Sequence, residues 1–568
     1  MTTPTSSSSF VKHTFHFLLS LFLLLLNQTY SQSHSLVHDH EQKVLLNIKQ
    51  YLQNTSFLNH WTPSSNSNHC SWKEIICTNG FVTGITLSEI NITKTIPPFI
   101  CNELKNLTHV DFSFNFIPGD FPTLFYNCSK LVYLDLSMNN FDGIIPNDIG
   151  NLSSYLQYLN LGSTNFHGGV PDGIGKLKEL RELRIQYCLL NGTVSDEIGE
   201  LLNLEFLDLS SNAVFPSWKL PLSLTKMKNL KVLYVYGSNL IDEIPERIED
   251  MVSLEKLDLS DNGLTGEIPR GLFMLKNLSI LYLYKNKLSG EIPSSVQALN
   301  LTSLDLAENK LVGKIPQDFG KLQKLTWLSL SINSLSGEIP ESVGLLPSLV
   351  DFRVFSNKLS AGVSSWTNVI VFDASNNLLN GSIPQEITSL PKLTTLLLDQ
   401  NQLNGPIPTN IISWKSLVTL NLSRNQLSGQ IPDTIGKLPV LSQLDLSENE
   451  FSGEFPSQLP RLTNLNLSSN HLTGRIPSEF QNSGFARSFL ANSGLCADTP
   501  MLNITLCHSG FRSESKGSSW SIGLIIILVM VTILLAFSAA FLIINVFKKR
   551  KQGLDNSWKL VSFQRPLK

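Results

Sequence analysis

From residue 82 to residue 477, apolar residues return in one sixteen-position pattern, LxxLxLxxNxLxGxIP, with polar residues between them. The stretch Leu417–Pro432 is a full copy. Leu254–Pro269, Leu278–Pro293, Leu301–Pro316, Leu325–Pro340, Leu393–Pro408, Leu441–Pro456 and Leu462–Pro477 repeat it. Counted from the first Leu, positions three to seven alternate as a short strand does. That predicts inward side chains at four and six and outward ones at three, five and seven. The Asn at nine (Asn139, Asn212, Asn425 and Asn470 among others) is expected to face inward at the turn after the strand. There its amide satisfies backbone groups that the bend leaves unpaired. Leu at eleven and Ile at fifteen complete the core, and Gly at thirteen permits close backbone approach. One coil cannot bury its apolar side alone. Stacked at roughly 4.8 Å per strand, the coils make a continuous core and one long parallel sheet.

First positions fall at Val82, Leu107, Leu131, Leu156, Leu180, Leu204, Leu230, Leu254, Leu278, Leu301, Leu325, Leu349, Val369, Leu393, Leu417, Leu441 and Leu462. These are seventeen coils, most of them 23 to 26 residues long. Such a period with this leucine pattern is the signature of an α/β leucine-rich-repeat solenoid, its parallel sheet on the concave face. The L-x-G-x-I-P portion resembles the plant-specific class of these repeats, and that resemblance implies a second strand on the flank of each coil. One step is irregular. Leu349 to Val369 spans 20 residues, and Leu359–Trp366 lacks the G-x-I-P return. Either this coil is tight, as Leu441 to Leu462 also is, or several coils are missing at a join near Ala361.

At 568 residues the chain exceeds one ordinary core, a limit that a solenoid avoids because each coil touches only its neighbours. With 43 basic against 46 acidic residues and a net charge of −3, nothing points to a nucleic-acid partner. Two apolar runs stand outside the repeats. Phe15–Leu26, preceded by Lys12 and followed by Thr29, Ser31 and Ser33, reads as a secretory signal peptide. Ile522–Phe547 carries no charge and is long enough to span a bilayer. Lys548-Lys549-Arg550-Lys551 then places the C-terminus in the cytosol. The expected order is a signal peptide over 1–31, an N-terminal cap over 32–81 and the solenoid over 82–485. A C-terminal cap and linker over 486–519, a transmembrane helix over 520–547 and a short cytoplasmic tail over 548–568 complete it. This is a single-pass plasma-membrane protein with its N-terminus outside. Asn54, Asn91, Asn106, Asn127, Asn151, Asn191, Asn277, Asn300, Asn380, Asn421, Asn466 and Asn503 each begin an N-x-S/T glycosylation sequon before the span. Asn-rich repeats also generate sequons by chance.

Glu41–Asn54 reads as an amphipathic helix with Val44, Leu45, Ile48 and Leu52 on one face. With Trp61, Cys70, Trp72 and Cys77 behind it, this segment resembles the N-terminal cap of plant receptor-like kinases. The resemblance implies a Cys70–Cys77 disulfide, which suits an oxidising compartment. A metal site, the alternative, lacks His or Cys partners at suitable spacing. Cys496 and Cys507, just past the last coil, look like a C-terminal cap pair. Cys101 and Cys128 fall on consecutive coils near their return loops, either as a cross-coil disulfide or as two buried thiols. Cys188 takes the place of Asn at position nine and reads as structural. Asn556–Arg565 resembles the juxtamembrane lead-in to the kinase domain of HAESA-like plant receptor kinases. No Gly-rich loop, V-A-I-K lysine, H-R-D or D-F-G accompanies it. Receptors of that kind carry about twenty or more repeats, which favours a join near Ala361.

No catalytic constellation, cofactor motif or metal-ligand set emerges. Asp at position five (Asp135, Asp208, Asp258, Asp305, Asp445) forms a ladder set by the repeat, not a catalytic pair. The informative outward positions are those that break consensus: Arg184 and Tyr187; Tyr234 and Tyr236; Tyr282 and Tyr284, with Lys285; Trp327; Arg353 and Phe355. They line up as an aromatic stripe with occasional cations, suited to recognition because Tyr and Trp give large contact area. The plainer reading is that they cover strands or lie under glycans. The resemblance implies a secreted peptide lying across the coils, with Arg353 on a peptide carboxylate. It also implies a co-receptor kinase ectodomain near the C-terminal coils. The R-x-R pair that grips peptide termini in some relatives is not among these positions, and sugars on Asn421 and Asn466 would obstruct the C-terminal concave surface. The chain thus reads as a cell-surface receptor-like protein that binds an extracellular peptide and is not itself an enzyme. Two alternatives stand beside this: a truncated product of a serine/threonine receptor kinase gene, and a defence-type inhibitor of secreted hydrolases. The span and the tail count against the inhibitor.

Overall fold

The structure is a computed structural model. It describes Phe15 and residues 38–507, except 54–55, 64–67 and 362–365. The chain divides into two compact units, Met1–Leu506 and Cys507–Lys568, and of the second only Cys507 is described. The signal segment beyond Phe15, Asn54, the linker, the span Ile522–Phe547 and the tail therefore lie outside the described residues. Among the described residues no helix is long and apolar enough to cross a membrane.

The described residues 38–52 are helical, so the capping helix is already formed ahead of Glu41, where the hydrophobic pattern placed its start. Val44, Leu45, Ile48 and Leu52 are buried on its inner face. Trp61 and Trp72 stack with ring centroids 5.0 Å apart. Glu74 accepts from the Trp61 indole N–H at 3.0 Å. The Cys70–Cys77 disulfide closes the adjoining loop. Strand Ile75–Thr78 then pairs antiparallel with Phe81–Thr86, which is the first strand of the repeat stack. The cap thus supplies a polar outer end to an edge that would otherwise expose core to water.

The antiparallel strand Ile75–Thr78 is the first of an 18-stranded sheet, whose other seventeen strands run parallel, one per coil. Position-four residues stay in register, for example Leu281, Leu304, Leu328, Phe352, Phe372 and Leu396. The strands themselves occupy only positions three to five, as in Thr419–Asn421 and Gln443–Asp445. Position seven therefore departs from the strand alternation. Ser137, Ser210, Ser260 and Ser447 there are buried. Ser447, which is typical, donates its hydroxyl at 2.6 Å and its N–H at 2.9 Å to Asp445. The carboxylate at five folds the chain back before the alternation can continue. Tyr236, Tyr284 and Phe355 at seven are partly exposed, as are Ser88, Gln186, Ala307, Ser375, Asp399 and Ser468.

Position eight is left-handed in all seventeen coils, from Glu89 to Ser469, with φ near +55° even at the β-branched Ile332. A non-glycine residue in that region costs about 1–2 kcal/mol. The Asn at nine offsets it. Asn425 accepts from the Leu403 N–H at 3.0 Å, donates at 2.9 Å to the Leu398 carbonyl of the previous coil, and donates at 3.1 Å to Leu422 and Ser423 of its own. Asn115, Asn377 and Asn492 make the same bonds. Asn492 carries the ladder past residue 485, the predicted end of the solenoid, because that last turn keeps its Asn but has lost the L-x-G-x-I-P signature.

Gly at thirteen is left-handed in most coils, Gly192 being an exception, and in many of them the position-fourteen side chain of the preceding coil lies against it. A Cβ on Gly266 (φ +76°) would sit 2.7 Å from Glu243 Cγ. The flanking second strands form a nine-stranded sheet from Ser336–Gly337 to Thr505–Leu506 and two three-stranded ones nearer the N-terminus. The 20-residue coil stacks without loss of register: Asp351–Arg353 pairs with Val371–Asp373, and Leu359 N–H reaches Asn377 at 3.0 Å. Trp366 fills its interior, 5.2 Å from the Phe352 ring and 4.5 Å from that of Phe372.

Candidate functional site

Short strands stacked in parallel place positions three and five of successive coils in straight columns on the concave face. Arg184 donates its Nε to Glu182, and its guanidinium carbon lies 4.1 Å from the centroid of Phe206, one coil on. Phe206 meets Tyr234 edge-on at 5.8 Å. Tyr187, 56% exposed, brings its hydroxyl to 3.3 Å from that of Tyr236, two coils further. Tyr282 and Tyr284 stand edge to face at 6.4 Å, and the Tyr282 hydroxyl is 2.9 Å from Ser303 Oγ. Trp327 lies 4.8 Å beneath the Arg353 guanidinium carbon. Phe355 is half-buried at position seven of the same coil.

Arg353 is not free in the way its sequence position suggested. Asp351 takes its Nε and one Nη at 2.8 and 2.9 Å. Two of five donors are committed, and the end-on pair remains for a carboxylate. The cause is local. Positions three and five of one strand project from the same face, so an Asp at three and an Arg at five meet.

Sequence reasoning missed the N-terminal part of this surface. His109, Tyr133 and Tyr158, all at position three, stack ring on ring with centroids 4.1 Å apart at each step. The Tyr158 hydroxyl and Asn160 Nδ2 donate to Asp135 Oδ2 at 3.1 and 3.0 Å. Burial, then the Asp135 charge, pushes Tyr133 up to about 12 and Tyr158 further. Burial holds His109 below its ordinary value, against the opposing pull of Asp111 and Asp135. The signal was present, since three consecutive coils carry a ring at the same template position.

The Asp ladder is structural, as the repeat implied. Burial raises Asp208, Asp258, Asp305 and Asp373, and position-seven hydrogen bonds oppose that rise. Each carboxylate is engaged by its own turn. Asn421 and Asn466 occupy the same position and take the same bonds from Ser423 and Ser468. Asn277 and Asn300 donate to the Val252 and Lys276 carbonyls of the preceding coil, as Asn203 and Asn229 do where no sequon exists. Those two sequons have a stacking role of their own. Asn91, Asn127, Asn151, Asn191, Asn380 and Asn503 are exposed, and Asn106 is half-exposed.

Cys101 and Cys128 form the cross-coil disulfide, Cys496 and Cys507 are both disulfide-bonded, and Cys188 is a buried free thiol. The Cys188 sulfur lies 3.5 Å from the Leu161 carbonyl, where an Asn amide stands in other coils. Burial raises its pKa, so it is poorly reactive. The objection that Cys70 lacks metal-binding neighbours is corrected by the fold: His38 and His69 come within 4.8 Å of its sulfur, which is held in the disulfide.

Residues 38–78 match the leucine rich repeat N-terminal domain. Nine stretches, among them 130–152, 253–275, 324–346 and 461–483, match the leucine rich repeat. In solved structures the chain is similar to a TDR receptor, with 31% identity, TM-score 0.68, and 75% of this chain and 76% of that one covered. The chain belongs to the leucine-rich-repeat ectodomain family of plant receptor-like kinases. It is also similar to the plant peptide hormone receptor RGFR1 in complex with RGF2, with 27% identity, TM-score 0.61, and 73% and 74% covered. Among curated proteins it is 32% identical over 139 residues to the LRR receptor-like serine/threonine-protein kinase GSO2 of Arabidopsis thaliana. That match takes in 24% of this chain and 11% of the relative, so the chain spans a small part of the curated receptor. In this family the concave columns are the ectodomain's inner surface, which here carries rings and cations from His109 to Phe355.

Proposed function

We propose that the solenoid binds an extended extracellular peptide along the concave aromatic columns, as the ectodomain of a cell-surface receptor-like protein of the HAESA-like group. The observation that carries this is the run of rings and guanidinium groups at positions three and five: His109, Tyr133, Tyr158, Arg184, Phe206, Tyr234, Tyr282, Trp327 and Arg353. Their side chains are already fixed by neighbours, so a ligand meets a preorganised surface and less entropy is lost on binding. The likeness to RGFR1, a receptor solved with a peptide hormone, supports the class of ligand. The predicted signal peptide and span set the chain in the plasma membrane with the coils outside. A co-receptor kinase ectodomain is the expected second partner and would supply the signalling. The rival reading, a truncated kinase gene product, is decided by sequencing the transcript across Ala361 and past Lys568.

The test uses the full chain in mild detergent and a panel of synthetic secreted plant peptides, read by biolayer interferometry. At least one peptide binds, and changing Tyr234, Tyr282 and Trp327 together to Ala weakens it by about a hundredfold or more. Unchanged affinity in the triple variant removes these columns from the site.

A further inference from the structure

Three apolar side chains lie bare where the second and third strands turn toward the flank. Phe114 and Met138, at position eight of consecutive coils, are 49% and 43% exposed. Phe116, at position ten beside them, is 53% exposed. Backbone bonds hold the three together: the Phe114 N–H reaches the Ser137 carbonyl, and the Asn115 N–H the Met138 carbonyl, each at 3.0 Å. Most coils place polar groups here, such as Glu89, Asp261 and Arg424 at eight, and Asn140, Lys310 and Gln426 at ten. A contiguous apolar patch on an otherwise polar rim is a surface that something covers.

The coil before Phe116 supplies the cover. Among position-ten residues only Asn91 opens a sequon, Asn91-Ile92-Thr93, and only Phe116 carries a phenyl, phenol or indole ring. The two are neighbours. The Phe116 N–H donates to the Ile92 carbonyl at 2.8 Å, which sets Asn91 and Phe116 one coil apart, about 4.8 Å, in one outward column. Both are exposed, whereas the Nδ2 groups of Asn277 and Asn300 are spent on carbonyls. We propose that Asn91 carries an N-glycan whose first N-acetylglucosamine packs on Phe116 and shields the patch that Phe114 and Met138 continue. A pyranose presents one face of C–H groups. Laid on a ring, that face leaves water while the sugar's hydroxyls stay wet. The link to Asn91 holds the sugar beside the ring, so the contact forms at a high effective concentration. Positions eight and ten lie off the concave columns, so the glycan leaves positions three and five open. The proposal rests on the coils lying outside the cell and is independent of what they bind.

The experiment takes the full chain from cells that keep N-glycans in the high-mannose form and purifies it in mild detergent. The folded protein is digested with an endoglycosidase that cuts between the two core N-acetylglucosamines, and peptide mass spectrometry reads occupancy and trimming at each site. Asn91 is occupied. It is trimmed about three- to tenfold more slowly than other occupied sites such as Asn151, where Lys176 of the next coil packs on the adjoining Gly150. Phe116→Ala brings Asn91 to the rate of the other sites and leaves theirs unchanged. The ring is exposed, so its loss spares the core. Thr93→Ala keeps Asn91 but abolishes the sequon, and binding of a dye that senses apolar surface rises. Adding Phe116→Ser to that variant reverses the rise. An empty Asn91 in a chain whose other sequons are filled overturns the proposal. Trimming at Asn91 as fast as elsewhere, or unaltered by Phe116→Ala, overturns it as well and leaves the patch to a protein partner. If every sequon is empty, the extracellular placement of the coils falls, and the proposal with it.

Discussion

Replacing Asn449 by Ala removes one rung of the ladder at a place where every bond is defined. Its Oδ1 accepts from the Leu427 N–H at 3.0 Å, and its Nδ2 donates to Leu422, Leu446 and Ser447 at 2.9, 3.1 and 3.1 Å. The carbonyls are partly insured. Leu422 keeps Asn425 at 3.1 Å, and Leu446 keeps Asn470 at 3.0 Å. The Leu427 N–H has no such second partner, and orphaning a buried donor costs about 1–3 kcal/mol. Weakened carbonyl bonds add about 1 kcal/mol, so the expected loss is about 2–4 kcal/mol. Urea unfolding of the full chain reads it as a lower midpoint at unchanged slope, and hydrogen exchange reads it as faster exchange confined to the coils around Leu427. Asn449→Asp separates acceptor from donor. It keeps a partner for Leu427 but turns an anionic oxygen toward three carbonyls, and it should be at least as destabilising at neutral pH. A change below about 0.5 kcal/mol in Asn449→Ala, or unaltered exchange at Leu427, would refute the view that the ladder joins the coils.

Gly290→Ala should destabilise by about 1–2 kcal/mol in the same urea assay. The residue holds φ +76°, and the new Cβ would meet Glu267 Cγ at 2.8 Å. Cys188→Asn should stabilise by about 1 kcal/mol, because carbonyls of Leu161 and Gln186 already lie 3.5 and 3.6 Å from the sulfur. Asp258→Asn tests pH dependence by thermal melts at pH 4 and pH 7. Burial raises the folded pKa of Asp258, so its contribution is present below the unfolded value, near 4, and is lost as pH rises through the folded one. The Asn variant should therefore gain on the wild type at pH 7 and not at pH 4. Asn421 shows that an amide fits this turn, with Ser423 N–H at 3.1 Å.

Most of the fold could be read from the leucines, because a residue that must face inward in every coil leaves a periodic trace. Leu420, Leu444 and Leu465 sit where position four requires. What the template concealed was the conformation at eight. That position accepts Glu89, Ile332 and Arg424 alike, so no residue preference betrays a left-handed backbone. The folding back of Ser447 was hidden in the same way, since an S at seven looks like any surface serine until Asp445 is seen to bind it. At the site, aromatics that broke consensus were legible one by one. The pairings were not. Asp351 with Arg353 needed the rule that three and five share a face, and the stack from His109 to Tyr158 needed three distant segments brought into one column.

The two kinds of position also explain why such a chain can vary its surface without losing its stack. Asn at nine and Gly at thirteen bond or contact the neighbouring coil, so each coil is held by groups that never reach the concave face. Residues at three and five are free of that duty except where Asp or Asn at five closes the turn. Wherever an aromatic or Arg replaces that Asp, the coil gives up two local hydrogen bonds, as at Arg184, Tyr234, Tyr282 and Arg353. Loss of bonds about 1 kcal/mol each is tolerable only because the coils on either side stay joined through position nine. Seven coils lack Asp or Asn at position five, and the four of them that carry Arg or Tyr there fall within one stretch, from Arg184 to Arg353, where the concave aromatics gather.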